Sequence, residues 1–196
     1  MLKIIGVILF CLLTRERQNS DKTIALKVHN DARKEVGVKP LMWSDNLEID
    51  AKKYADFLAS KDVFEHSEDL SELGQGENLY STAYFVFQEN GEKYFFENTD
   101  YLENASISWL NEKKDFKYAK IGDRKNNFSK VGHYTQMVWI QTTQVGIAYS
   151  KSKSGKVYVV ARYYPAGNII GQFPYKIIDI ISSKKFFKIR IVEYFI

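Results

Sequence analysis

The chain has 196 residues, 45% of them hydrophobic and 27% charged, which suits one domain with a real core. Its formal charge of +4 comes from Lys3 and from a C-terminal stretch, 176–196, with five cations against two acids, so residues 4–175 carry no net charge. A body without concentrated positive charge excludes a nucleic-acid reader, and a single cysteine, Cys11, excludes a disulfide framework within the domain.

Residues 1–13, MLKIIGVILFCLL, form an apolar run with one lysine. The run is too short to span a bilayer comfortably and suits the core of a signal peptide. Residues 1–20 are therefore expected to be a leader into the secretory pathway. The TRERQNS that follows lacks a small-x-small cleavage site, which leaves an uncleaved anchor open. The domain proper is expected over 21–175, with 176–196 as a basic, apolar tail.

Ala25, Val28, Ala32 and Val36 recur at helical spacing, so a first helix is expected from Asp21 to Val36, with Asp21 as its cap. A second helix should begin at Ser44 or Asp45, with Leu47, Ala51, Tyr54 or Ala55, and Leu58 as its stripe. Glu48 follows Asp45 by three residues, the spacing of a capping box. Phe64 to Leu79 is polar and glycine-containing, which predicts mostly loop. Tyr80 to Asn98 is aromatic without a clean period. A third helix is expected from Thr99 or Asp100, with Leu102, Ala105, Trp109 and Glu112 on its inward line.

Val145, Ile147 and Tyr149 alternate in one strand pattern, and Val157 to Tyr164 alternates on both faces, with KSKSGK between them as a hairpin turn. A strand apolar on both sides belongs in a sheet covered on both faces. The fold class predicted is α+β, a three-layer α–β–α sandwich around a central antiparallel sheet.

Two histidines and two glutamates from separate segments stand out: His66, Glu77, Glu112 and His133. Converging, they could hold a divalent metal or exchange protons. Spacing alone does not establish that convergence, and no compact zinc pattern occurs. Hydrogen-bonded structural roles for all four stay open. Asn104 and Asn127 each begin an Asn-x-Ser sequon, a pattern compatible with secretion.

Four motifs carry a family resemblance. Gly132 to Trp139 reads GHYTQMVW, Val159 to Asn168 reads VVARYYPAGN, and shorter ones are His29-Asn30 with Arg33, and Gly76-Glu77-Asn78-Leu79. In this order, over about Thr23 to Asn168, they resemble the CAP superfamily of cysteine-rich secretory, antigen 5 and plant pathogenesis-related 1 proteins. The resemblance implies the α–β–α sandwich and a cleft tetrad of His66, Glu77, Glu112 and His133. It implies a domain that binds a lipid or sterol ligand, or a membrane surface, more consistently than one that catalyses a reaction.

No cofactor is required on this reading, although His66 and His133 could take zinc or another divalent cation. A metal-dependent, protease-like hydrolase with Glu77 or Glu112 as base is the alternative, and a non-catalytic interaction protein with an unnamed partner is the other. Ala161 stands where many secreted members have a cysteine. That absence is similar to the Golgi-associated subgroup, whose Met-Gly myristoylation signal this Met-Leu start lacks. The 80–98 segment looks longer than usual and could decorate one rim of the cleft.

Overall fold

Val157 to Tyr164 alternates apolar residues on both its sides because both faces of that strand are covered. The fold is that of a computed structural model describing residues 20–83, 85–87, 93–95 and 100–177. A helix over 20–35 (α1) leads to the short strand Met42–Trp43 (β1) and the helix Asp45–Lys61 (α2). A single helical turn, Leu70–Leu73 (α3), precedes the strand Gly76–Thr82 (β2). Strands Phe85–Phe87 (β3) and Lys93–Phe95 (β4) pair with each other, apart from the main sheet. Helix Tyr101–Asn111 (α4) runs into a 3-10 turn at Glu112–Asp115. A second 3-10 turn, Phe128–Lys130, leads to the helix Gly132–Met137 (α5), then to strands Gln144–Lys151 (β5) and Val157–Tyr164 (β6).

The main sheet has the order β1-β5-β6-β2. It is antiparallel except for the two-residue β1, which lies parallel to β5. On one face Val157, Val159, Ala161 and Tyr163 of β6 pack with Ala25 of α1, Leu102, Ala105 and Trp109 of α4, and Met137 of α5. On the other, Tyr158 and Val160 pack with Ala51, Ala55 and Leu58 of α2. These are the two alternating sets visible in the sequence, and the result is the α–β–α sandwich. The leader, the tail beyond 177 and the side chains of 84–99 lie outside the described residues.

Close packing of α2 on the sheet explains one glycine. A Cβ at Gly146 would lie 2.1 Å from the backbone nitrogen of Glu48. Only glycine lets the start of α2 rest on β5 there. The cap of α2 is Ser44, whose Oγ accepts from the Leu47 amide at 3.4 Å. Glu48 does not close a capping box with Asp45; it accepts from Trp43 Nε1 at 2.9 Å and pairs with Lys22. Ser44 took the cap because its short hydroxyl reaches the third amide, which releases Glu48 to tie α2 to β1 and α1.

Asp21 departs from expectation in the same way. It lies inside α1, and its carboxylate accepts from the amides of Leu102 and Glu103 at 3.0 and 2.9 Å. It thus caps α4 rather than its own helix, joining two helices of one layer. The polar stretch expected as loop divides in two. Its last four residues, Gly76 to Leu79, open β2, which pairs with β6 from Gly76↔Tyr163 to Thr82↔Val157. Tertiary pairing overrides local polarity here, because the polar residues of β2 have designated buried partners.

Arg33 is 1% exposed and has no carboxylate partner among the described residues. Its guanidinium donates to four backbone carbonyls: Nε to Lys39 at 2.7 Å, Nη1 to Met137 and Trp139 at 3.0 and 2.9 Å, and Nη2 to Thr142 at 2.7 Å. Carbonyls at and beyond a helix end lack intrahelical donors, and Arg33 supplies them for the chain leaving α5. Burial draws its pKa down to about 10, so it keeps its charge at neutral pH.

Trp139 is fully buried, whereas the His133 ring retains 32% exposure. Trp139→Ala is therefore expected to cost about 3–5 kcal/mol in urea unfolding, and His133→Ala clearly less. Arg33→Met should cost about 3 kcal/mol or more, because four buried or part-buried carbonyls lose a charged donor. Equal losses for Trp139→Ala and His133→Ala would contradict this placement.

Candidate functional site

Register first. Glu77 on β2 lies opposite Arg162 on β6, and both side chains are essentially buried. Oε2 of Glu77 faces Nε of Arg162 at 3.2 Å as an ion pair, out of line for a hydrogen bond. The other oxygen, Oε1, accepts from Nδ1 of His66 at 2.7 Å and from the Ser67 amide at 3.2 Å. Arg162 also reaches Gln75 Oε1 at 3.3 Å and lies over the Tyr54 ring at 5.2 Å. A buried carboxylate needs such compensation to stay ionised. Burial, aided by the charges of Glu77 and Glu65, pushes the Tyr54 hydroxyl up to about 12.

The second pair sits where α4 gives way to α5. Glu112 opens the 3-10 turn that continues α4, so the inward line of that helix delivers it. Its Oε1 accepts from Nδ1 of His133 at 2.7 Å, and its Oε2 from the amides of His133 and Tyr134 at 2.9 and 3.1 Å. A carboxylate at the start of a helix satisfies amides that have no intrahelical acceptor.

Asn78, beside Glu77 on β2, joins the second pair to the core. Its Nδ2 donates to the His133 carbonyl at 3.1 Å and to the Tyr163 hydroxyl at 3.0 Å. Tyr163 stands 2.8 Å from Nε2 of His29, whose Nδ1 stands 2.8 Å from the Ala25 carbonyl. The carbonyl can only accept, so Nδ1 carries the proton and Tyr163 donates to Nε2. Desolvation lowers the His29 pKa to about 4, against the pull of the Ala25 carbonyl.

The four predicted residues thus form two His–Glu pairs, reached from consecutive positions of β2. In each pair the glutamate holds Nδ1 of the histidine, and Nε2 has no hydrogen-bond partner among the described residues. Among those residues no group of three or more His, Cys, Asp and Glu is placed to hold a metal ion. Glu77 sits on a strand, not in the loop expected for it, and for that reason its carboxylate is buried. Sequence reading missed Arg162, Asn78, Tyr163 and His29 as members of the site. The signal available was that both polar residues of GENL fall opposite the strand carrying Arg162 and Tyr163. Beside His66 a cavity of about 750 Å³ opens, lined in part by Tyr54, Phe57 and Leu73. The rings of Tyr54 and Phe57 stack in it, 5.7 Å apart.

Comparison with known proteins adds to this geometry. The profile of the CAP, or cysteine-rich secretory protein, family matches residues 26–163. The chain is 33% identical over 147 residues to human (Homo sapiens) Golgi-associated plant pathogenesis-related protein 1, covering 75% of this chain and 84% of that one. It is 34% identical over 174 residues to pathogenesis-related protein 1C of Nicotiana tabacum, covering 86% and 90%. Among solved structures it is similar to NaASP2 with Zn2+, with a TM-score of 0.64, 27% identity, and coverage of 82% and 87%.

The His29 network gives the protein a defined acid sensitivity. An imidazole that ionises near 6.5 when unfolded and near 4 when folded favours folding fully above pH 6.5. That contribution is lost as pH falls from 6.5 through 4, by about 3 kcal/mol in all. Urea midpoints at pH 7, 5.5 and 4 should fall accordingly, and His29→Gln should flatten the trend while lowering stability at pH 7. An unchanged slope in His29→Gln would remove His29 as its cause.

Proposed function

The chain belongs to the CAP family of cysteine-rich secretory proteins, and on that premise we propose that it is a non-catalytic binding protein of the extracellular space or secretory pathway. The observation that carries this reading is the state of the two cleft glutamates. Glu77 accepts from His66 and Ser67 and faces Arg162, while Glu112 accepts three N–H groups. The Glu77 side chain is fully buried, with Oε2 against the Arg162 guanidinium, and both oxygens of Glu112 already accept protein N–H groups. Neither carboxylate therefore stands poised as the general base that the hydrolase alternative demands.

The imidazoles are in the opposite state. A carboxylate on Nδ1 fixes the tautomer and turns Nε2 outward, as around histidines that bind metals. The donor chemistry therefore fits a divalent cation such as zinc, held through Nε2 of His66 and of His133. Two protein ligands fall short of the roughly three of a catalytic zinc, which supports reversible binding. When bound, the ion would supply positive charge and open coordination positions for an anionic group. Similarity to the zinc-containing NaASP2 structure supports this part of the reading. The cavity beside His66 has the size of a small-ligand site, and its lining, which sets Tyr54, Phe57 and Leu73 beside Lys53, Arg162 and several carboxylates, suits an amphipathic lipid or sterol with a polar head. The secretory name of the family and the apolar leader support the compartment.

Zinc titration calorimetry on the intact protein and on His66→Ala/His133→Ala tests the cation site. Binding should vanish in the double variant and weaken about 10–100-fold in Glu112→Gln. No heat with the intact protein would remove the metal. Fatty-acid and cholesterol binding should weaken in Phe57→Asp. A peptidase activity lost in Glu112→Gln would overturn the non-catalytic reading.

A further inference from the structure

The two Asn-x-Ser sequons are alike in sequence and opposite in structure. Asn104 lies inside α4, its amide bonded to the Asp100 carbonyl at 3.0 Å. The hydroxyl of its sequon, on Ser106, is fully buried and donates to the Leu102 carbonyl at 2.7 Å. Ala105 between them is also fully buried. That tripeptide cannot enter another protein's active site without unwinding the helix.

Asn127, Phe128 and Ser129 are all exposed, in the turn that precedes α5. The Ser129 hydroxyl donates to Oδ1 of Asn127 at 2.8 Å, and the Ser129 amide approaches the same oxygen at 3.2 Å. Both bonds end on the amide oxygen, so Nδ2 has no hydrogen-bond partner among the described residues. The hydroxyl polarises the amide from its oxygen side and leaves the nitrogen free to react.

We propose that Asn127 is an acceptor for an N-linked oligosaccharide and that Asn104 is not. The inference rests on the secretory reading above, because the donor, a polyprenyl-diphosphate-linked oligosaccharide, is met in that pathway. Nδ2 of Asn127 forms a bond to the anomeric carbon of the first sugar. The carbon–oxygen bond to the diphosphate breaks with its electron pair, and Nδ2 gives up one proton to a base of the transferring enzyme. Nothing is oxidised or reduced.

The full chain is expressed in a eukaryotic secretory host in two forms, one with its own N-terminus and one preceded by a proven signal peptide. Each is treated with an amidase that releases N-glycans. Both forms should lose the mass of one glycan, and peptide mass spectrometry should find aspartate in place of Asn127. Asn127→Gln and Ser129→Ala should abolish the shift, while Ser129→Thr and Asn104→Gln should keep it. Secreted yield and circular dichroism check that each variant folds. Modification only behind the borrowed signal upholds the site and removes the secretory reading. No modification in either form, or a shift lost in Asn104→Gln, overturns the inference.

Discussion

A carboxylate buried in the interior must be neutralised or matched, and the pairing of Glu77 with Arg162 is how this fold meets that demand. Much of the site follows from it. Opposite places in the β2–β6 register bring the charges together, and the leftover oxygen of Glu77 then fixes the His66 ring and the Ser67 amide. Arg162, drawn under Tyr54, lines the cavity beside that ring. Glu112 repeats the device with amides in place of a guanidinium. One acid is balanced by a full charge in the sheet and the other by helix amides, yet both present a histidine the same way.

Much of the scaffold was legible because it obeys simple periods. The double alternation of β6 announced a sheet covered on both faces, and the stripe Leu47, Ala51, Ala55, Leu58 announced the layer on one of them. Helical spacing also delivered Glu112 to the half-buried side of α4 that faces His133. What stayed hidden were long-range polar contacts, which leave no period. Asp21 looked like the cap of its own helix, and only packing shows that it caps α4. Glu48 had capping-box spacing from Asp45, but Ser44, one residue earlier, is the cap. β2 read as loop because its polar residues answer to partners 85 positions away, as Asn78 does to Tyr163. The pairing of each histidine with its own glutamate needed the register as well as the motifs.

The motifs themselves turn out to be parts of one assembly. Gln136 accepts from the Gly167 amide at 2.9 Å and donates to Thr142 at 3.2 Å. Thr135 donates to Asn168 at 2.6 Å, and Asn168 donates to the Gly132 carbonyl at 2.8 Å. A Cβ at Gly76 would come within 2.2 Å of the Gln136 side chain, and one at Gly167 within 2.8 Å of the Trp139 ring. Residues 132–139, 165–168 and the start of β2 therefore interlock, and Arg33 of the first motif clamps the chain as it leaves them.

Ala161, fully buried at the centre of β6, has a further consequence. Where a sulfur bridge would tie layers covalently, this domain relies on side-chain amides, a guanidinium and close packing. None of these bonds responds to thiols or oxidants, and the described residues contain no cysteine. Among the described residues the packing therefore contains no bond that the redox state of the surroundings could make or break. The layers of this domain close without waiting for an oxidising step.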